Sequence, residues 1–517
     1  MSPTGYLYLV VCLFCCQFTS LQVHGLEYYV AAVYEHHSVL NPNPTALTDR
    51  RSALEFMAQN LDVYEAQVTA AAEKGAQIIV FPEDGIHGFN YTRLSIYPYL
   101  DYVPPPCLMP WNPCVEPLRF PDTEVLQRLS CMAAKSRIFL VANLGTKMPC
   151  DPQTAQCPQD GRFQFNTNVV FSDNGTLVAT YFKQNLYYEY SFDTPPEVQH
   201  VVFDTPFADG FALFTCFDIL FYKPAVDLVK KYKVNHIVYP TAWMNQLPLL
   251  SSIQIQRAFA TTYNINFLAA NIHHTTLGMT GSGIFTPTTS SYHYDMTNEN
   301  GALIVAKVPV NPSKEATVGH MDPMWPGDRE MLYGKRLTEI PHDQVCTKER
   351  AEDCEQPING IQGVPHLFYA TMMYDNFTFT PLLQSEGMIE VCAGTLCCHL
   401  NYKKTVLSNE LYALGAFDGL HTVHGTVYLQ ICALVKCGGL DPDTCGHEVP
   451  DANTMINFQL WGNFSTEHIF PMLVTSGVNL QLPEFWGWKA DNFYINDNKT
   501  SSGLVTAALY GRYYERD

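Results

Sequence analysis

Short apolar runs recur along the first part of the chain, each ending where polar sequence begins. The runs at 28–33, 77–81, 138–143, 211–215, 237–239 and 266–271 are apolar on both faces. That is the pattern of strands covered on two sides. Between them the apolar spacing changes to three and four. Over 52–74 it runs through Leu54, Met57, Leu61, Tyr64, Val68 and Ala71, and Gly75 follows as a stop. Over 123–135 it repeats with Leu126, Leu129 and Met132. Pro224 suits the first turn of a further helix reaching about residue 232. Alternation of strands and helices predicts a layered α/β fold.

The periodicity fades over 311–365, which is rich in Pro, Gly and charge. Beyond it, runs such as 425–434 and 504–510 are β-branched and aromatic, with frequent turns. The chain therefore reads as a leader over 1–25, an α/β domain over 26–315, a linker or irregular insertion over 316–363, and a second, β-rich domain over 364–517.

The leader rests on an apolar run at 6–16, too short to span a bilayer, followed by smaller and more polar residues up to Gly25. No Lys or Arg precedes it, so the usual basic start of a signal peptide is missing. Secretion is still the reading, with cleavage between Ser20 and Gly25; a buried strand is the other. Five sequons, at Asn90, Asn174, Asn376, Asn463 and Asn498, fit an exported chain. So do 17 cysteines, three of them in the leader. Cys150 and Cys157 bracket a polar loop, as do Cys346 and Cys354, and six more crowd into 392–445. In an oxidising compartment these spacings read as disulfides rather than as a metal site. Cys216 stands alone in an apolar stretch. If it is a free thiol, one other must be unpaired, and Cys107 is the candidate. A formal charge of −20 argues against nucleic acid and anionic membrane surfaces. The C-terminus carries no apolar tail, so no lipid anchor is expected.

Three segments carry chemistry. They are Phe81-Pro82-Glu83-Asp84-Gly85, Tyr181-Phe182-Lys183-Gln184-Asn185-Leu186 and Phe214-Thr215-Cys216-Phe217-Asp218. Each lies where a strand-like run gives way to polar sequence, which is where α/β folds place ligand-binding groups. Taken singly, each has a plain structural reading. Cys216 is then a core cysteine, Glu83 a cap or surface acid, and Lys183 a snorkelling cation. Taken together, they supply a nucleophile, a proton carrier and a cation. Cys216 is expected on a sharp strand-to-helix turn, its sulfur exposed at a pocket edge and the Phe217 N–H aimed at a developing oxyanion. Lys183 is expected to favour the thiolate, with Glu189 close enough in sequence to hold the lysine.

These segments resemble the carbon–nitrogen hydrolase (nitrilase) superfamily, whose members use a Glu-Lys-Cys triad in this chain order. The resemblance implies that Glu83 is the general base, Lys183 the oxyanion stabiliser, Cys216 the nucleophile and Glu189 the lysine-orienting acid. Ala212 departs from the pattern, standing where many members have glycine. The segments 81–90, 239–245 and 279–283 narrow the resemblance to the secreted biotinidase and vanin branch. The stretches 413–425 and 501–517, with the missing anchor tail, place it on the biotinidase side. The implied fold is an αββα sandwich with a C-terminal β-rich, disulfide-stapled base domain. The implied reaction is hydrolysis of the amide joining biotin to lysine in biocytin and biotinyl peptides, through a Cys thioester.

Trp243, Met244 and Asn245 are candidates for wrapping a ring or a ureido group, or equally for core packing. His421 and His424 resemble half a metal site without further ligands, and the pairs His36-His37 and His273-His274 read as surface or hydrogen-bonded histidines. No P-loop or dinucleotide fingerprint occurs, so no cofactor is expected, and no metal. The expected partner is a small-molecule substrate, and the expected state a monomer. Two alternatives stay open: a vanin-type pantetheinase, and a secreted protein whose triad is idle and which acts by binding biotin or a partner.

Overall fold

A computed structural model describes residues 27–104, 109–154, 156–313 and 366–517. The leader, Cys107, Cys346, Cys354 and the 316–363 linker lie outside the described residues. The chain divides into two compact units. One holds the described residues up to Met244 together with Asn264–Ser313, and the other holds Asn245–Tyr263 and the described C-terminal part.

The first unit is built on two mixed sheets. Its strands are β1 (Tyr28–Glu35), β2 (Ile78–Val80), β3 (Asp101–Tyr102), β4 (Phe139–Pro149), β5 (Arg162–Phe171), β6 (Leu177–Phe182), β7 (Val202–Phe203), β8 (Phe211–Leu213), β9 (His236–Thr241), β10 (Asn266–Asn271), β11 (Ser282–Phe285), β12 (Ser290–His293) and β13 (Ala302–Pro309). One sheet runs β13-β1-β2-β4-β5-β6, with β3 beside β4; the other runs β12-β11-β10-β9-β8-β7. In each, three central strands are parallel: β1, β2 and β4 in one, and β8, β9 and β10 in the other. Those strands are apolar without alternation because both of their faces are covered.

Helices α1 (Arg50–Glu73) and α2 (Glu124–Ser136) pack on the outer face of the first sheet. Met57, Leu61, Tyr64 and Val68 of α1 and Leu126, Leu129 and Met132 of α2 share a core with Ile79, Leu140, Ala142 and Val169. Each such side chain contributes about 1.5–3 kcal/mol by leaving water. The apolar spacing alone puts the start of α1 at Ser52. Asp49 moves it to Arg50, because its carboxylate accepts the Ser52 N–H at 2.8 Å and caps the first turn. The inner faces of the sheets meet through rings, with Tyr29 and Phe211 centred 5.7 Å apart. Pro224 lies in an irregular turn, and regular helix begins only at α3 (Asp227–Lys230), shorter than the spacing suggests. Disulfides Cys114–Cys131 and Cys150–Cys157 tie surface loops of this unit.

The second unit is a pair of antiparallel sheets of seven and five strands. They share one core, to which Leu414, Leu434 and Leu509 come from one sheet and Leu400, Leu460 and Ile495 from the other. Cys398–Cys432 joins the two sheets across that core. Cys392–Cys397 and Cys437–Cys445 close local loops. Helix α4 (Ser252–Tyr263) lies between β9 and β10 in sequence but clusters here. Phe259 stacks on Phe470 at 6.1 Å, and the Thr262 hydroxyl donates to the Ile469 carbonyl at 2.8 Å. The sequence boundary, a continuous 26–315, therefore differs from the compact units.

Candidate active site

Glu83 follows β2, Lys183 follows β6 and Cys216 follows β8, and the fold brings the three together. They are buried, at 1%, 2% and 7% exposure. Lys183 Nζ donates to Glu83 Oε1 at 2.7 Å and to Glu189 Oε2 at 2.5 Å. The Ala242 N–H, at the end of β9, donates to Glu83 Oε2 at 2.9 Å. The Cys216 thiol lies near enough to Glu83, Thr241 and the Ala242 N–H for each to shift its proton affinity.

Cys216 has φ 44, a left-handed conformation that costs a non-glycine residue about 1–3 kcal/mol. It opens a 3₁₀ turn, Cys216–Leu220. The turn is held from several sides. The Tyr239 hydroxyl donates to the Cys216 carbonyl at 2.7 Å. The Asp218 carboxylate accepts the Thr215 N–H at 3.0 Å, the Tyr181 hydroxyl at 2.6 Å and the Asn185 N–H at 2.9 Å. Asp218 thus clamps the lysine segment to the cysteine segment, and burial pushes its carboxyl up to about 6. The Phe217 N–H falls in the first turn, where backbone donors have no intrahelical acceptor. The Phe217 ring meets Tyr187 edge-on at 5.1 Å.

Sequence reasoning missed a ladder of asparagines beneath the site. Asn166 Nδ2 donates to Glu83 Oε1 at 2.8 Å and to Glu189 Oε1 at 2.6 Å. Asn143 Nδ2 donates to Asn166 Oδ1 at 2.6 Å and Asn168 Oδ1 at 2.9 Å, while its own Oδ1 accepts the Asp84 N–H at 3.0 Å. Asn168 reaches the Thr215 hydroxyl at 2.9 Å. The signal is present in the sequence: Gln164, Asn166 and Asn168 set polar side chains at alternate positions along one face of a strand that is otherwise buried. Gly85 lets the Glu83 turn form, since a Cβ there would lie 2.1 Å from the Tyr64 hydroxyl oxygen.

Two family models match this chain, and three relatives are similar to it over nearly its whole length. Residues 52–264 match the "Carbon-nitrogen hydrolase" family and residues 367–517 the "Vanin C-terminal domain". Biotinidase of Mus musculus is 60% identical, over 95% of this chain and 94% of that one. Biotinidase of Homo sapiens is 57% identical over 96% and 90%, and pantetheinase of Homo sapiens is 43% identical over 95% and 90%. The chain belongs to the carbon–nitrogen hydrolase family, in its biotinidase and vanin branch. It is an amide-cleaving hydrolase with a nitrilase-type α/β domain and an all-β C-terminal domain.

Attack by a thiol needs a thiolate, and here one expectation needs correcting. The Cys216 sulfur is buried rather than exposed. The Lys183 charge favours the thiolate, but two carboxylates share it and burial of the thiol outweighs it. Burial pushes the Cys216 thiol well up, and Glu83 adds to this; Lys183, Thr241 and the Ala242 N–H pull the other way without prevailing. Burial also raises Glu83, opposed by Lys183 and reinforced by Glu189. Burial would lower Lys183, but Glu189 and Glu83 outweigh it, so the ammonium persists. A resting thiol beside a carboxylate of raised proton affinity suits proton transfer during attack.

The remaining candidates scatter. Trp243 is buried, and its N–H meets Asn271 Oδ1 at 2.8 Å. Met244 is 42% exposed. Asn245 belongs to the other unit, where its Oδ1 accepts the Ser252 N–H at 2.8 Å. His421 pairs with Asp375 at 2.7 Å, and His424 lies against Tyr374. All five sequon asparagines are exposed. Among the described residues, Cys216 is the cysteine outside a disulfide, and no helix is long and apolar enough to cross a membrane.

Proposed function

We propose that this chain is a secreted amidase that releases biotin from biocytin and short biotinyl peptides. The observation that carries the reading is the convergence of Glu83, Lys183 and Cys216, far apart in the chain, into one buried cluster. The biotinidase relatives supply the acyl group.

In this reading Glu83 takes the thiol proton as Cys216 sulfur attacks the biotinyl carbonyl. Negative charge gathers on the carbonyl oxygen, and the Phe217 N–H and the Lys183 ammonium hold it. The C–N bond breaks as Glu83 returns the proton to the departing ε-amine of lysine, leaving a biotinyl thioester. Water, deprotonated by Glu83, then attacks the thioester; biotin departs and the sulfur regains its proton. Glu189 and Asn166 fix the lysine and the base but exchange no proton with substrate. Five disulfides among the described residues and the exposed sequon asparagines support an extracellular setting.

The test is lysine release from biocytin by the full chain, with pantetheine in parallel and Cys216→Ala as control. Biocytin turnover that vanishes in the variant is the expected result. Turnover of pantetheine alone would move the chain to the vanin reading. Turnover of neither, with slow alkylation of Cys216 by iodoacetamide, would sink both and favour the binding protein.

A further inference from the structure

Away from the thiol, two clusters of histidine and carboxylate lie side by side in the first unit. One is buried: Glu35, His273 and His293. Its Glu35 carboxylate already accepts from His273 Nδ1 at 2.6 Å, Thr280 Oγ1 at 2.5 Å and the Gly281 N–H at 2.9 Å. His273 Nε2 faces the Asn298 carbonyl at 2.5 Å. Both His273 nitrogens are therefore engaged and leave none for an ion.

The other cluster is His37, His274 and Glu299, with one potential ligand atom from each within 4.8 Å of the others. We infer that these three residues form a binding site for one divalent transition-metal ion, zinc above all. The buried cluster positions it, because His274 and Glu299 directly follow His273 and Asn298 in the chain and His37 lies two residues after Glu35. The rings of His37 and His274 are centred 4.8 Å apart. His274 Nε2 faces the Ser38 carbonyl at 2.9 Å, which leaves its Nδ1 lone pair outward. His37 Nδ1 lies 3.1 Å from the His273 carbonyl and 3.3 Å from Glu299 Oε2. The Ser38 carbonyl fixes the His274 tautomer as carbonyls do for metal-bound histidines, while His37, half exposed, turns its Nδ1 from the His273 carbonyl to ligate beside Glu299.

Imidazole nitrogens with a carboxylate suit zinc, copper or nickel better than calcium or magnesium. Ligand atoms on tetrahedral zinc sit roughly 3.3 Å apart for bonds of about 2.05 Å, so closing the atoms from within 4.8 Å by at most about 1.5 Å completes the site. The side chains of His37 and Glu299 are 42% and 45% exposed, which gives that freedom and an open position for water. The Glu299 loop is pre-ordered by Asp295, which accepts the Thr297 and Asn298 N–H groups at 2.7 and 3.2 Å.

The experiment is calorimetric titration of zinc chloride into chelator-stripped protein carrying Cys216→Ala, so that the thiol cannot compete. Thermal unfolding with and without zinc accompanies it. One zinc per chain is expected, with a zinc-dependent rise in Tm. His37→Ala, His274→Ala and Glu299→Gln should each weaken binding by about tenfold or more. Glu299→Gln, exposed and near-isosteric, keeps the test valid if a histidine variant folds poorly. Absence of saturable binding, or binding and Tm shift retained in all three variants, overturns the assignment.

Discussion

The two buried charge networks of the first unit are built on opposite plans. Around Glu35 donors and acceptors balance, with His273, Thr280 and Gly281 satisfying one carboxylate. Around Glu83 they do not. Glu83, Glu189 and Asp84 crowd the Lys183 ammonium, and a thiol joins them. Asp84 Oδ1 finds no hydrogen-bond partner among the described residues. Burial, with Glu83 and Glu189 adding to it, drives the Asp84 carboxyl well above its usual range. A saturated network fixes a shape; an acid-rich one holds protons whose owner can change. The same unit thus separates a saturated ion pair from an acid-rich cluster by stoichiometry rather than by burial.

Glu83→Gln should divide the two networks most sharply. It keeps the shape and removes the proton carrier. We expect kcat on biocytin to fall about 100- to 10,000-fold, with thermal stability close to wild type. Steady-state kinetics and a melting curve check both halves. A variant within tenfold of wild type would mean that Glu83 is no base and that the comparison fails.

Glu35→Ala should do the reverse. Removing one partner of a buried pair costs about 3–5 kcal/mol of stability, while kcat/KM of the folded protein stays unchanged. The pH dependence follows from His273. Burial alone would lower its proton affinity, but Glu35 and the Asn298 carbonyl outweigh this and raise it. A folded-state value above the unfolded one, about 6.5, stabilises fully below that pH and less as pH rises through the folded value. The stability gap between wild type and Glu35→Ala, read by denaturant titration, should therefore narrow as pH rises above about 6.5. A gap that widens would show that the histidine is neutral in the folded chain.

Part of this contrast is legible in the amino-acid sequence, and the illegible part has a common cause. Helices α1 and α2 and the central parallel strands are readable because burial imposes its period on the sequence directly. Glu83, Lys183 and Cys216 are readable because each ends an apolar run. What cannot be read is counting in space. Glu189 is legible as a partner of Lys183, but nothing local says that Glu83 claims the same charge. Nothing local to Asp218 says that Tyr181 and Asn185 lie within reach. The affiliation of α4 with the C-terminal unit depends on Phe470, far along the chain. The polar positions 166 and 168 carry a signal, yet a strand asparagine announces only that something must satisfy it.

Asn166→Leu is the finest cut between the plans, because it touches the reactive network without removing a charge. Asn166 acts through Glu83 and Glu189 as a positioning residue. Its amide donates to both carboxylates and so favours their ionised forms. Leucine of similar size withdraws that donor. Proton affinity of the pair must rise, and a base that works ionised then needs a higher pH to act. The acid limb of the kcat/KM profile should move up by about one pH unit, equivalent to about 1.4 kcal/mol. Asn143 keeps Asn168 as acceptor, so the ladder itself stands. A merely packing role would lower the rate equally at every pH and leave the limb in place. That outcome would detach the asparagine ladder from the chemistry and leave Lys183 and the Ala242 N–H as the groups that tune Glu83.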